Sequence, residues 1–327
     1  MPVLTDPFGR KIEYLRLSVT DRCDFRCFYC IPKGYKNFTP PETWLTLDEV
    51  ERLVRLFSEA GVGKIRITGG EPLVRKDLPE MVRRIGALPQ IEDLSLSTNA
   101  SRLAQHAVAL KEAGVSRINV SLDSLDPDRF RQITQGDLNT VIDGLMAAKA
   151  AGFHPIKINM VVMKGLNDHE IGDMVDFCLE HDFTLRFIET MPVGEAGQSA
   201  TDHFLDLKVV REELEKKYDL DPAVVRGAGP ASYVRVRGTD LRIGFITPMS
   251  QHFCDTCNRV RLSIEGTLYL CLGQQDRYEF RPLLRSGASD DEVRQAIHDA
   301  IKRKPQHHDF SSESGGGVAR VMSITGG

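Results

Sequence analysis

The sequence predicts an α/β fold built around a parallel sheet, followed by a smaller C-terminal domain. From Tyr14 to about residue 190, short strand-like runs alternate with amphipathic helices. This alternation is typical of parallel strands joined by right-handed crossovers. The pattern then changes, with a glycine-rich loop predicted at 192–202 and a linker predicted at 222–231. We therefore predict one domain at 5–225 and a second at 226–327.

Composition narrows the class of protein. The chain has 327 residues, of which 41% are hydrophobic, so it can bury a sizeable core. Its formal net charge of −4 argues against general nucleic-acid binding, which needs a basic surface. Six of the seven cysteines fall into two spaced groups without a disulfide-like framework, which indicates a reducing compartment. Because no leader and no membrane-length apolar run is visible, we expect a cytoplasmic protein without a membrane partner.

Six strand–helix units are predicted, two short of a complete eight-fold barrel, so an open barrel and a doubly wound sheet both fit. The predicted strands lie at 14–19, 64–68, 91–97, 117–122, 155–162 and 184–190. The first helix begins at the capping box Thr46-Leu47-Asp48-Glu49 and ends before Gly61. Further helices are predicted near 77–87, 101–113, 139–151, 168–181 and 207–218, and after a second capping box at 289–292.

Polar and apolar residues alternate along these strands, whereas parallel strands covered on both faces are usually apolar throughout. If the apolar faces meet the helices, the polar faces line the interior. Arg16, Arg66 and Lys157 then point inward, with Arg186 as a further candidate. Because unpaired buried cations are costly, we predict a polar cavity that holds an anion. Ion pairing with interior carboxylates is the alternative.

The first cysteine group follows the first strand directly. Cys23, Cys27 and Cys30 have the spacing C-x3-C-x2-C, and three thiolates on one loop suit an iron–sulfur cluster. A four-iron cluster with three protein ligands keeps one iron open, which marks chemistry more often than structure. Structural zinc and three buried thiols are the alternatives. Cys178, by contrast, lies on an apolar helical stripe and is predicted to pack in the core.

The second cysteine group has the spacing C-x2-C-x13-C, formed by Cys254, Cys257 and Cys271. No histidine is placed to complete a tetrahedral zinc set, because His307 and His308 lie in a polar tail with no partner at ligand spacing. We predict a second three-thiolate cluster whose open iron could hold a substrate atom. Structural zinc stays an alternative, because a fourth ligand could come from elsewhere.

Two short motifs accompany the second cysteine group. Arg259 and Arg261 stand two apart on an extended segment, so their guanidinium groups point the same way and suit a polyphosphate. The chain ends in Gly326-Gly327, where bare glycines leave room for a tail to enter a site.

The first cysteine spacing, with Tyr29 before the third cysteine and Gly69-Gly70-Glu71-Pro72 after the second strand, resembles the radical S-adenosylmethionine (radical SAM) superfamily. That resemblance implies a partial, six-unit parallel β/α barrel and a cluster whose open iron is chelated by SAM. With the second cysteine group, Arg259-Val260-Arg261 and the terminal glycines, the resemblance narrows to the GTP 3′,8-cyclase family of molybdenum cofactor biosynthesis. It runs over nearly the whole chain.

The family resemblance implies a role for each matching position. It implies that two [4Fe–4S] clusters are held by Cys23, Cys27 and Cys30 and by Cys254, Cys257 and Cys271. It implies SAM contacts from Tyr29, Gly70, Ser121 and Met191. It implies GTP contacts from Arg16, Arg66, Ser97, Lys157, Arg259 and Arg261, and a catalytic part for the tail glycines Gly326 and Gly327.

The implied reaction is radical chemistry on GTP, which gives (8S)-3′,8-cyclo-7,8-dihydroguanosine 5′-triphosphate. The implied partners are GTP, an electron donor and the cyclic pyranopterin monophosphate synthase that takes the product, with a homodimer left open. Two rival functions remain. A radical SAM enzyme that modifies a peptide could carry extra cysteines, and an iron–sulfur electron carrier would need neither the SAM motifs nor a cationic cavity.

Overall fold

The computed structural model describes residues 3–225, 229–310 and 318–326. In these residues twelve strands form one sheet. The strands are β1 Tyr14–Ser18, β2 Lys64–Thr68, β3 Asp93–Thr98, β4 Arg117–Ser121, β5 Ile156–Val161, β6 Thr184–Ile188, β7 Leu220–Ala223, β8 Ser232–Val236, β9 Arg242–Ile246, β10 Arg259–Leu262, β11 Thr267–Tyr269 and β12 Arg277–Glu279. The first six strands are parallel neighbours in chain order, which confirms the predicted α/β fold with a six-unit parallel core.

Helices connect the strands and cover the outside of the core. They are α1 Leu47–Glu59, α2 Leu78–Gly86, α3 Leu103–Glu112, α4 Pro127–Thr134, α5 Leu138–Ala150, α6 Ile171–His181, α7 Gly194–Ala200, α8 Leu207–Lys217, α9 Phe280–Arg285, α10 Asp290–Ile301 and α11 Met322–Thr325. Both predicted capping boxes are present, at Thr46 of α1 and Ser289 of α10. No helix in the described ranges is long and apolar enough to cross a membrane.

The apolar strand faces pack against the helices, as the alternation predicts. Leu15, Leu17, Ile65 and Ile67 are fully buried in the same cluster as the apolar face of α1. Burying each such side chain contributes about 1.5–3 kcal/mol to folding. Cys178 is fully buried in α6, so its predicted place in the core is confirmed.

Strands from beyond residue 225 extend both edges of the six-stranded core. On one edge β10 lies parallel to β1, and Arg261 stands opposite Arg16, which stands opposite Arg66. On the other edge β9 lies parallel to β6 and β8 follows antiparallel, and the sheet ends at β7, which comes from before residue 225. The division into 5–225 and 226–327 stays a prediction, but strands from both sides of that boundary share one sheet.

Two sequence predictions are wrong at the end of the core. The predicted loop at 192–202 contains α7, because Glu195 to Ala200 has no proline or β-branched residue and its alanines are buried against the protein. The predicted linker at 222–231 begins inside β7, where Pro222 stands opposite Val234. Proline is tolerated there because β7 is an edge strand whose outer N–H groups need no partner strand.

Candidate active site

Two cavities adjoin in the barrel. The first lies where the parallel strands finish, the usual place for active groups in such folds. The second is lined by residues along the strands, from Tyr14 at the start of β1 onward. The first cavity encloses about 1030 Å³ and is lined by Cys23, Cys27 and Cys30. The second cavity encloses about 1070 Å³ and is lined by Cys254, Cys257 and Cys271. Residues that line both cavities are Ser97, Asn159, Ile188 and Met191.

The first cavity gathers every residue for which SAM contact is predicted. Tyr29, Gly70, Ser121 and Met191 all line it beside the three thiols. These residues come from the cysteine loop, the turn after β2, the end of β4 and the segment after β6. Sequence motifs far apart in the chain therefore meet in one place.

The turn at Gly69 and Gly70 packs directly on the backbone that precedes the first cysteine. Gly70 N–H donates to the carbonyl of Thr20, and the next N–H donates to the carbonyl of Arg22, each at 2.8 Å. A Cβ on Gly69 would lie 2.2 Å from the Thr20 oxygen, and one on Gly70 would lie 2.3 Å from the Arg22 oxygen. Only glycine permits this approach, so the turn fixes the position of the cysteine loop.

Buried carboxylates surround the first cysteine group. Asp123 accepts hydrogen bonds from the Tyr29 hydroxyl at 2.6 Å and from the Val161 N–H at 2.9 Å, and burial raises its pKa to about 6. Burial also raises the pKa of Glu71 to about 7. Burial first, and Asp123 second, raise the pKa of Cys27 well above its usual value.

The second cavity gathers five of the six residues for which GTP contact is predicted. Arg16, Arg66, Ser97, Arg259 and Arg261 all line it. The sixth, Lys157, is buried in β5 but lines neither cavity. Burial first, and the nearby Arg186 second, lower the pKa of Lys157 to about 7.

Several guanidinium nitrogens in the second cavity are buried without a hydrogen-bond partner among the described residues. They are Nε and Nη2 of Arg16, Nε of Arg66 and Nε of Arg186. None of these three arginines forms an ion pair within 3–225, 229–310 and 318–326. Burial first, and neighbouring charges second, lower the pKa of Arg66 to about 10 and that of Arg16 well below its usual value. No carboxylate of the described residues lies within ion-pair distance of these three arginines, which favours an anionic ligand over internal ion pairing.

Cations hold the backbone around the second cysteine group. Arg10 donates to the Cys254 carbonyl at 2.7 Å, and Arg320 donates to the Cys271 carbonyl at 2.9 Å. Lys304 is buried and donates to the carbonyl that precedes Cys271 at 2.6 Å. Burial raises the pKa of Cys257, but Lys304 and then Arg259 outweigh it, so this pKa lies below its usual value. Burial raises the pKa values of Cys254 and Cys271, so Cys257 is the thiol of this group whose ionisation the nearby cations favour.

The sequence places no partner for His308 at ligand spacing, but the structure brings a distant histidine to it. His308 lines the second cavity, and its Nε2 lies 3.3 Å from Nδ1 of His252. Burial first, and His252 second, lower the pKa of His308 to about 4. The two histidines are 56 residues apart, so no local spacing could have revealed the pair.

The described part of the tail lies between the cavities. Met322 lines the first cavity, and the carbonyl of Gly326 accepts a hydrogen bond from Arg261 of the second at 2.5 Å. A Cβ on Gly326 would lie 2.4 Å from the side chain of Thr68, so the close approach requires glycine. Gly327 lies outside the described residues.

In the part of the chain that the structure describes, no group of three or more His, Cys, Asp or Glu side chains is arranged to hold a metal ion. Each cysteine group instead lines a cavity large enough for a bigger inorganic group. A bound inorganic group that contains metal ions supplies positive charge. Buried thiols with raised pKa values need that charge if they are to act as thiolates.

Sequence comparisons agree with this site. A sequence model of the radical SAM superfamily matches residues 17–178, and one named Molybdenum Cofactor Synthesis C matches residues 183–310. A GTP 3′,8-cyclase of Rhizobium etli is 49% identical over 99% of this chain and 94% of that protein. A GTP 3′,8-cyclase of Hydrogenovibrio crunogenus is 48% identical over 99% of both chains.

Among solved structures, Streptococcus suis SuiB bound to S-adenosylmethionine superposes with a TM-score of 0.61 at 17% identity, over 89% of this chain and 68% of that one. At this identity the likeness shows the fold alone. Membership of the radical SAM superfamily implies SAM and a [4Fe–4S] cluster. The near full-length identity to curated relatives goes further, and the chain belongs to the GTP 3′,8-cyclase family of radical SAM enzymes.

Proposed function

We propose that this protein converts GTP into (8S)-3′,8-cyclo-7,8-dihydroguanosine 5′-triphosphate, the first step of molybdenum cofactor biosynthesis. The observation that carries the proposal is the set of buried, unpartnered guanidinium nitrogens in a cavity that adjoins the first cysteine group. A triphosphate supplies the negative charge and the acceptor oxygens that these donors lack.

The first cavity fits SAM and a [4Fe–4S] cluster held by Cys23, Cys27 and Cys30. The three thiols line it together with Tyr29, and the glycine turn leaves its backbone accessible there. A cluster held by Cys23, Cys27 and Cys30, together with SAM, would supply a 5′-deoxyadenosyl radical able to take the C3′ hydrogen of GTP. Bonding of C3′ to C8 of guanine and the gain of one electron and one proton would then complete the product.

The residues of the chain hold the nucleotide beside the first cavity. Ser97, Asn159 and Met191 line both cavities, so a nucleotide held in the second cavity has part of its surface beside the first. Holding two reactants next to each other removes much of the entropic cost of their meeting. Arg16, Arg66, Arg259 and Arg261 would fix the triphosphate, which sets where the sugar lies.

We propose that Cys254, Cys257 and Cys271 hold a second [4Fe–4S] cluster at the far side of the second cavity. Supporting this, the three thiols line the cavity and Lys304 and Arg259 favour the thiolate of Cys257. An open metal position there would face the nucleotide. Structural zinc is the alternative, and iron analysis separates the two.

The cellular setting follows from the proposed reaction. We place the protein in the cytoplasm, where GTP and an electron donor are at hand, and expect cyclic pyranopterin monophosphate synthase to take the product. A homodimer stays a prediction from the family resemblance.

The rival that modifies a peptide has one point in its favour, because SuiB is described bound to a precursor peptide, SuiA. The match to SuiB is 17% identical and shows only a common fold. A peptide substrate would leave the buried guanidinium nitrogens without an evident anion. An electron carrier would likewise have no use for a cationic cavity beside the first cysteine group.

The test is product formation by anaerobically reconstituted protein with SAM, reductant and GTP. We expect a cyclised nucleotide with the same molecular formula as GTP, because one hydrogen leaves C3′ and one electron and one proton are gained; it is separated from GTP by chromatography and identified by mass spectrometry. ATP and unrelated peptides should give no product. SAM cleavage that is stimulated by a peptide and not by GTP would contradict the proposal.

A further inference from the structure

We infer that Tyr14 binds the triphosphate of GTP by donating its phenolic hydroxyl to a phosphate oxygen. Tyr14 is the first residue of β1 and lines the second cavity. No role for it was predicted from the sequence. The inference rests on the proposed function and adds a neutral donor to the predicted arginines.

The hydroxyl of Tyr14 is buried and has no hydrogen-bond partner among the described residues. Buried polar groups in folded proteins nearly always have a hydrogen-bond partner, because an unpaired buried donor destabilises the fold. The missing acceptor therefore has to come from outside the described chain. Because the hydroxyl belongs to a residue that lines the cavity, a ligand in that cavity is the natural source.

The charges around the ring indicate which part of GTP supplies the acceptor. The guanidinium carbon of Arg66 lies 5.3 Å from the ring centroid, and that of Arg259 lies 5.9 Å from it. Burial raises the pKa of Tyr14, but Arg66 and Arg16 more than offset it, so the pKa is lowered. Guanidinium groups offer no acceptor. They do attract the most negative part of the nucleotide, its triphosphate, and so bring phosphate oxygens to this end of the cavity.

The aromatic ring of Tyr14 also attracts the neighbouring guanidinium groups through its faces. Cations are attracted to the face of an aromatic ring. Tyr14 stands opposite Arg259 in the β1–β10 register. Arg66 lies two residues beyond Lys64, the partner of Tyr14 in the β1–β2 register. The ring thereby helps to orient two arginines toward the same anion. This positioning effect survives in phenylalanine, whereas the hydrogen bond does not.

Tyr14→Phe separates the two effects and should fold. Its hydroxyl makes no bond to a described residue, so its removal leaves no described group unpaired. We expect unchanged iron content and a melting temperature that does not fall. Tyr278→Phe is the matched control, because Tyr278 is a half-buried tyrosine of β12 that lines neither cavity.

The measurement is calorimetric titration of the anaerobic, cluster-loaded protein with GTP and, separately, with inorganic tripolyphosphate. We expect Tyr14→Phe to weaken binding of both by about 10- to 100-fold, the range for one hydrogen bond to a charged group. Tyr278→Phe should bind both as the wild type does.

Three outcomes would overturn the inference. If the wild type binds GTP and Tyr14→Phe binds it equally well, the Tyr14 hydroxyl has no part in binding, while the proposed function stands. If the variant loses affinity for GTP but not for tripolyphosphate, the hydroxyl does not contact the triphosphate. If the wild type itself fails to bind GTP, the proposed function fails, and the inference fails with it.

Discussion

The two cavities adjoin, and each is lined by three cysteine thiols. The charged side chains near the two groups of thiols nevertheless have opposite signs. Near the first group, burial and the carboxylates of Glu71 and Asp123 raise the pKa values of the thiols. Near the second group, Lys304 and Arg10 act in the other direction. Equal numbers of ligands therefore do not make equivalent sites.

This difference has a functional meaning if both cavities hold clusters. Reduction adds negative charge, so nearby carboxylates disfavour it and nearby cations favour it. A cluster in the first cavity would be a stronger reductant than one in the second. Reductive cleavage of SAM needs a strong reductant, whereas binding of a nucleotide needs a cationic surface, and each cavity has the charge that suits its task.

The largest expected effects come from removing one ligand in each cavity. Cys27→Ser should abolish SAM cleavage, because the cluster that carries SAM loses a ligand. Cys257→Ser should retain part of the SAM cleavage but lose cyclisation, because only the substrate side is disturbed. Quantifying 5′-deoxyadenosine and cyclised product in the same reactions checks both. Equal loss of SAM cleavage in the two variants would erase the functional difference between the cavities.

The tail that lies between the cavities should be nearly as sensitive. In Gly326→Ala the new Cβ would lie 2.4 Å from Thr68, so the tail would have to move away from Arg261. We expect folding and iron content to be retained and cyclisation to fall severely. Deletion of Gly326 and Gly327 should behave similarly. Gly287→Ala is the control, because Gly287 shares the positive φ of Gly326 (83° and 68°) but a Cβ there would meet nothing within 4 Å, so it reproduces the backbone strain without the clash. Full cyclisation activity in Gly326→Ala would make the tail dispensable.

Loss of one cavity arginine should have a moderate effect confined to the second cavity. Arg16→Ala should weaken GTP binding by about 1.5–3 kcal/mol, the range for hydrogen bonds to charged groups. SAM binding should be unchanged, because Arg16 does not line the first cavity. Arg235→Ala removes an exposed arginine of β8 and is the control. Titration calorimetry measures all of these affinities, and unchanged GTP affinity in Arg16→Ala would show that the cavity does not hold the triphosphate.

The smallest expected effect concerns the reduction potentials. Lys304→Gln should lower the potential of the second cluster by about tens of millivolts without moving the first, because one nearby charge is removed. Asp123→Asn should raise the potential of the first cluster in the same way. Redox titration followed by electron paramagnetic resonance resolves the two signals. Shifts of the wrong sign would contradict the electrostatic difference between the cavities.

Much of the fold could be predicted because its signals are local. Strand–helix alternation and the polar faces carrying Arg16 and Arg66 can be read over a few residues, and the structure buries those side chains inside the core. The sequence motifs likewise predicted SAM contacts for Tyr29 and Gly70, and both residues line the first cavity. These signals need no knowledge of which distant segments meet.

What the sequence could not reveal depends on long-range pairing. The insertion of β10 beside β1 places Arg259 next to Tyr14, and without that register the tyrosine looks like an ordinary apolar strand residue. His308 meets His252 only because the chain returns to the second cavity. Lys157 was predicted to contact GTP, yet it lines neither cavity, and its contact stays a prediction.

The most direct test of the whole account is hydrogen transfer from GTP. The two adjoining cavities are explained if a radical formed at the first reaches the sugar held in the second. GTP carrying deuterium at C3′ should therefore give 5′-deoxyadenosine that contains one deuterium, alongside the cyclised product. Deuterium at C2′ or C4′ should stay in the nucleotide. Unlabelled 5′-deoxyadenosine from the C3′-labelled substrate, in a reaction that still forms product, would contradict the account.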